Sequence, residues 1–194
     1  MRLVYGFGLN DADYCVQPMI NGRQVMCKSY SDWKHMIKRA YSKKYQIKRP
    51  TYSYVTVCDE WRSFMSFRYW WMENHVDGYQ LDKDLLTDNR QYSPKNCIYV
   101  PSWLNSFTTH QEKPSNGLLI GVDNHKSSRL FRSRCSNPKT GKQEDLGRFA
   151  TEDAAHAAWK NRKIEIATQM KSEMDEIDGR IYGRIVTIIN RMSY

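Results

Sequence analysis

The composition of this chain breaks once, at the polar stretch THQEKPSNG (Thr109 to Gly117), which holds both Pro114 and Gly117. Such a segment is a linker signature, because proline and glycine interrupt helices and strands alike. It leaves a front part of about 110 residues and a back part of about 80, each near the lower size limit for a self-standing core. Hydrophobic residues make up 40% of the chain and aromatics 13%, so cores this small must lean on rings, which bury large areas each. The six Trp and thirteen Tyr are therefore core first and contact surface second.

The formal net charge is +9. A basic excess on a small chain suggests a polyanion partner, since neutralising phosphates releases condensed counterions; a basic surface kept for solubility gives the same composition. No run of about 18 apolar residues is present, so no membrane span is expected. The opening MRLVYGFGLNDADY carries Asp11 and Asp13 where a secretory signal needs an unbroken apolar stretch. A soluble, intracellular protein is expected. Five cysteines, Cys15, Cys27, Cys58, Cys97 and Cys135, are scattered with no C-x-x-C pair, which argues for reduced thiols and against a disulfide framework or a zinc ribbon.

In the front part, Ser29 to Ser42 has a helical period with Trp33, Met36, Ile37 and Ala40 on one face, and Ser31 or Asp32 is placed to cap it. A second helix is predicted from Asp59 to Asn74, its stripe of Trp61, Phe64, Phe67 and Trp71 read as core. A strand-like piece (Tyr79 to Asp84), a polar loop, the β-prone CIYVP (Cys97 to Pro101) and a short helix capped by Ser102 follow. The back part predicts three strands, in LLIGV (Leu118 to Val122), RLFRSRC (Arg129 to Cys135) and QEDLGRF (Gln143 to Phe149), then a helix opening at Thr151. Alternation along the second strand puts Phe131, Ser133 and Cys135 on one face and Leu130, Arg132 and Arg134 on the other. Met174, Ile177, Ile181, Ile185, Ile188 and Met192, at steps of three and four, predict one amphipathic helix that docks on the same chain. The expected class is α+β, with domains at residues 1–110 and 111–170 and a C-terminal amphipathic helix at 171–194.

Gly121 and Val122, Leu146, Gly147 and Phe149, Thr151, Ala154 and Ala155, and Ala157 with Trp159 resemble the DNA-binding domain of the plant Apetala/ethylene-response factors over about fifty residues. That resemblance implies a three-stranded sheet laid in the DNA major groove. It makes Arg132 and Arg134 the base or phosphate readers, with Lys126, Arg129 and Arg148 on the DNA backbone; the strand alternation by itself places Lys142 among the cations around the two arginines as well. It also implies that Gly147 lets the helix lie close to the sheet. The loop here is longer and Phe131 replaces the family's usual tryptophan, so no base preference carries over.

LDKDLLTDNRQYSPKNCIYVPSWLNSF resembles the HNH (His-Me finger) nuclease motif of bacteriophage proteins, a ββα unit. Asn96 and Asn105 are nine residues apart, as in that motif, and Asp82 sits at its metal-binding acidic position. The resemblance implies a Mg²⁺ or Mn²⁺ site at Asp82 and Asn105, with Asp84 as a further oxygen ligand. The residue after Asp82 is Lys83, where the general-base histidine belongs. An ordinary lysine is charged near pH 7 and cannot take a proton from water. Three readings stay open: Lys83 touches phosphate in a site without catalysis, His75 supplies the base, or Lys83 has a perturbed pKa. Turn and capping roles account equally for the Asp and Asn residues. The expected partner is double-stranded DNA, with a host protein as an alternative, in the cytoplasm of an infected bacterial cell. The expected activity is phage-type homing or nicking endonuclease, or DNA binding without cleavage on the same scaffold.

Overall fold

The aromatic periodicity of the front part becomes its core. In the computed structural model, which describes residues 3–108, 116–124 and 129–192, the chain divides into two compact units, Met1–Pro101 and Ser102–Tyr194. The first holds the hairpin β1 (Met19–Ile20) and β2 (Arg23–Gln24), then α1 (Lys28–Tyr41), α2 (Lys43–Lys48), β3 (Thr56–Val57), α3 (Phe64–Asn74), β4 (Gln80–Asp82), β5 (Gln91–Tyr92) and β6 (Ile98–Val100). Trp33, Met36, Ile37 and Ala40 of α1 pack with Trp61, Phe64 and Phe67, and Trp33, Ile37, Trp61, Phe64 and Phe67 lose all exposure. Burying a large apolar side chain contributes about 1.5–3 kcal/mol, so this cluster outweighs the sheets, which are only two strands wide.

Local details depart from the pattern. α1 starts at Lys28 and its N-cap, Cys27, makes no side-chain cap. Asp32 instead accepts hydrogen bonds from Trp71 Nε1 (2.9 Å) and the Tyr99 hydroxyl (3.0 Å). The second helix begins only at Phe64, after a 3₁₀ turn over Glu60–Arg62, because Ser63 caps it by accepting from the Ser66 N–H. β4 and β6 pair antiparallel with Leu81 opposite Tyr99, while β3 and β5 pair parallel, a pairing no alternation announces.

The second unit comprises α4 (Ser102–Phe107), β7 (Val122–Asn124), β8 (Phe131–Asn137), β9 (Lys142–Phe149), α5 (Glu152–Gln169), α6 (Lys171–Ile177) and α7 (Ile181–Arg191). Sequence places α4 with the front part; it belongs to the second unit, so the division falls at Pro101 and Ser102, ahead of the polar stretch. Residues 109–115 of that stretch lie outside the described residues. β7, β8 and β9 form one antiparallel sheet in that order, with α5 across one face. The first strand starts at Val122, later than LLIGV implied, because Leu119 to Gly121 turn into it, and the Glu152 carboxylate accepts from the Leu119 N–H. Thr151 caps α5, accepting from the Ala154 N–H.

Gly121, and not Gly147, is the glycine that lets helix and sheet meet. It has φ +82°, and a Cβ there would sit 2.1 Å from Cγ of Trp159. Gly147 has φ +106°, but the nearest atom to a Cβ would be 4.0 Å away, so its role is backbone conformation beside the bulge at Ser133/Arg134. The last segment is two helices, broken at Asp178 to Arg180, where Asp178 accepts from the Arg180 backbone and side chain. Ile181, Ile185 and Ile189 are fully buried, and Ile188 only partly. α7 docks on α5, and His156 and Lys160 approach the carbonyls of Met192 and Asn190 at its end.

Glu144 accepts from Arg162 (2.6 and 3.1 Å) and Asn137 (2.8 Å), tying β9 to α5. Arg162 first, then Asn137, pull its carboxyl down to about 2 from 4.5. A depressed carboxylate contributes stability that is present above its unfolded pKa and lost as pH falls through the folded one. Acid titration of stability should therefore show a loss between about pH 4.5 and 2 that is shallower in Glu144→Gln. Gly121→Ala should lower stability by about 2–4 kcal/mol in denaturant melts, from the clash and the positive φ together.

Candidate functional site

Asp82, at the end of β4, does what a turn aspartate does. Its Oδ1 accepts the backbone N–H groups of Asp84 (2.8 Å) and Leu85 (2.7 Å), closing the chain reversal that follows the strand. Burial pushes the Asp82 carboxyl above its ordinary value, and these two N–H groups offset that only in part. Lys83 is buried at 6% exposure. Its ammonium donates to both oxygens of Asp84 at 2.6 Å and lies 5.6 and 5.5 Å from the ring centroids of Tyr52 and Tyr92. Burial drives the Tyr92 phenol upward, and Arg39 donates to it.

These arrangements test a divalent ion. Asp84 offers both oxygens to an ammonium, which would repel a second cation at that carboxylate. Asp82 is committed to the turn through Oδ1. Asn105 lies on α4, in the other unit. Within the first unit, Asp82 and Asp84 are thus engaged by the turn and by Lys83 and are not presented together to a Mg²⁺ or Mn²⁺ ion. Among the described residues no group of three or more His, Cys, Asp or Glu side chains is arranged to hold a metal.

His75 is neither a base presented to solvent nor a solvated loop residue. It closes α3 as C-cap, stacks on Trp71 (4.1 Å, 18°) and meets the Tyr99 ring edge-on at 5.1 Å. Its side chain is 8% exposed, and Nε2 lies 3.9 Å from Asp77. That nitrogen is buried and makes no hydrogen bond among the described residues. Asn96 holds the loop before β6, donating from Nδ2 to the Gln91 carbonyl at 2.9 Å.

In the second unit the strand register decides which cations share a face. Asp123, Arg132 and Arg148 are directly opposite one another across the three strands. Arg134 opposes Asp145 and Ser136 opposes Gln143 on the same side. The other side of β8 carries Ser133, Cys135 and Asn137, all buried. The alternation expected for Arg132 and Arg134 is therefore present, with an addition that spacing does not give. Arg132 donates to Asp123 at 2.9 and 3.2 Å, Arg134 also pairs with Asp123, and Arg134 reaches Gln143 at 2.8 Å. Burial opposes ionisation of Asp123, but hydrogen bonds from Arg132 and Arg134 hold its carboxyl below the ordinary range. Arg148 and Arg129 are exposed. Lys142 opposes the buried Asn137, so it does not join the arginine face, and Lys126 lies outside the described residues.

Sequence reasoning missed Asp123 as a clamp and Lys163, a lysine on α5 buried at 4% exposure. Lys163 sits one turn beyond Trp159 on the buried face, the only signal that would have found it.

No family model, no curated protein and no solved structure matches this chain. Among the described residues no helix is long and apolar enough to cross a membrane.

If Lys83 and Asp84 are a structural pair, removing the acid should hurt more than removing the base. Asp84→Ala should cost about 1–2 kcal/mol, less than a fully buried pair because Asp84 faces solvent, while Lys83→Met should stay within about 1 kcal/mol of wild type. Chemical denaturation of the two variants distinguishes this from a lysine kept for chemistry.

Proposed function

We propose that this chain binds double-stranded DNA through the exposed face of its three-stranded sheet, and that the β4–β6 strand pair serves as scaffold and not as a metal-dependent cutting site. The observation that carries the reading is the arginine row. Arg132 and Arg148 stand directly opposite on neighbouring strands, with Arg134 close by. Like charges in such pairs cost stability in isolation, and a row of them is favourable where phosphates answer it. Asp123 answers part of that charge and fixes two guanidinium planes. Side chains already held in place lose less freedom on binding, and planar guanidinium forks suit both phosphate and guanine edges.

Several features favour binding without cleavage. Lys83 stands at the general-base position, Asp84 is engaged by it, and Asp82 caps a turn. The net charge of +9 fits a polyanion partner. An A-form RNA major groove is too narrow and deep for such a sheet, which favours DNA.

The test is the salt dependence of duplex binding, measured by fluorescence anisotropy from low to physiological salt. Arg132→Ala with Arg134→Ala should weaken binding and flatten the log K against log salt slope by about 0.9 for each phosphate no longer neutralised. Arg148→Ala should act in the same direction, and Lys142→Ala, off the arginine face, should leave the slope unchanged. Affinity and slope unaltered in the double variant would remove the sheet from the account.

A further inference from the structure

Lys163 enters a cleft that no part of the DNA-binding reading uses. The cleft, about 360 Å³, lies within the second unit between α4, the β8–β9 turn and α5, and its walls include Trp103, Phe107, Pro138, Gln143, Lys142 and Lys163. That volume falls in the range of small-molecule sites. The Lys163 ammonium rests 3.8 Å over the Phe107 ring, an attraction well short of what burying an ammonium costs.

The charges around this group leave it unanswered. On β9, Glu144 is already engaged by Arg162 and Asn137. On β8, burial pushes the Cys135 thiol up, which keeps it neutral. On α5, the neighbouring Arg162 is itself a cation. Lys142 faces the same cleft, and among the described residues no acidic side chain lines it. Burial pulls the Lys163 ammonium down to about 8 from 10.5, still mostly charged at neutral pH. A buried cation without a carboxylate is a liability for folding alone, and an anion supplied from outside removes the liability.

We propose that this cleft binds a small aromatic anion, its carboxylate or phosphate seated between Lys163 and Lys142 and its ring against Trp103 and Phe107. The apolar walls supply the driving force for the ring, and the two ammonium groups select the charge. The site uses different cations from the arginine face and meets it only at Gln143, which Arg134 contacts.

The experiment is calorimetric titration of the full chain with phenyl phosphate, benzoate and neutral benzyl alcohol. One-to-one saturable binding is expected for at least one anion, and which of the two binds tighter identifies the headgroup. Benzyl alcohol should bind at least about tenfold more weakly. Lys163→Met should lose about tenfold or more in affinity for that anion, while melting no lower than wild type, because it removes an uncompensated buried charge. Lys142→Gln, at an exposed position that leaves the fold intact, should weaken the anion several-fold. Anion affinity unchanged in both variants, equal binding of benzyl alcohol, or no saturation by either anion would overturn the proposal.

Discussion

An ammonium group taken out of water costs several kcal/mol unless something answers its charge, and each unit of this chain buries one. Lys83 is answered by Asp84, and two tyrosine faces flank it. Among the described residues, Lys163 is answered by a phenylalanine ring alone. Chains poor in aliphatic residues fill their cores with rings, and rings tolerate a cation on their faces where aliphatic walls would not. The same chemistry therefore serves two ends. In the first unit it completes a turn, and in the second it leaves a cation waiting at the wall of a cleft.

The turn at Asp82, Lys83 and Asp84 bears directly on what the molecule does. A metal-assisted cut needs a carboxylate free to face the ion and a neutral base near the attacking water. Here one carboxylate closes the backbone, the next is held by lysine, and His75 stacks on Trp71 with the Tyr99 ring edge-on to it. Asp82, Lys83 and Asp84 are engaged in holding the strand end together. On the arginine face of the second unit three arginines are aligned on one surface with two aspartates, and Asp123 engages Arg132 and Arg134.

Periodicity made much of this legible. The buried faces of α1 and α3, the second and third strands of the second unit, and the Thr151 cap all follow from local sequence patterns. What escaped depends on partners distant in sequence. Asp32 looks like a helix cap until Trp71 and Tyr99 arrive from elsewhere. Gly121 looks like any turn glycine until Trp159 packs against it. The long C-terminal apolar repeat hides the break at Asp178, which a local side-chain-to-backbone bond creates. Among the candidate site residues, the register of β8 was readable, but the Asp123 clamp and the position of Lys142 off the arginine face required knowing how β7 and β9 align.

Supercoiled plasmid distinguishes binding from cutting. The purified chain is incubated with it in Mg²⁺, in Mn²⁺ and in EDTA, and the products are run both intact and deproteinised. A retarded complex is expected in all three conditions, with fully supercoiled plasmid once protein is removed. Nicked or linear product that appears only with metal, and disappears in Asp82→Ala, would contradict binding without cutting.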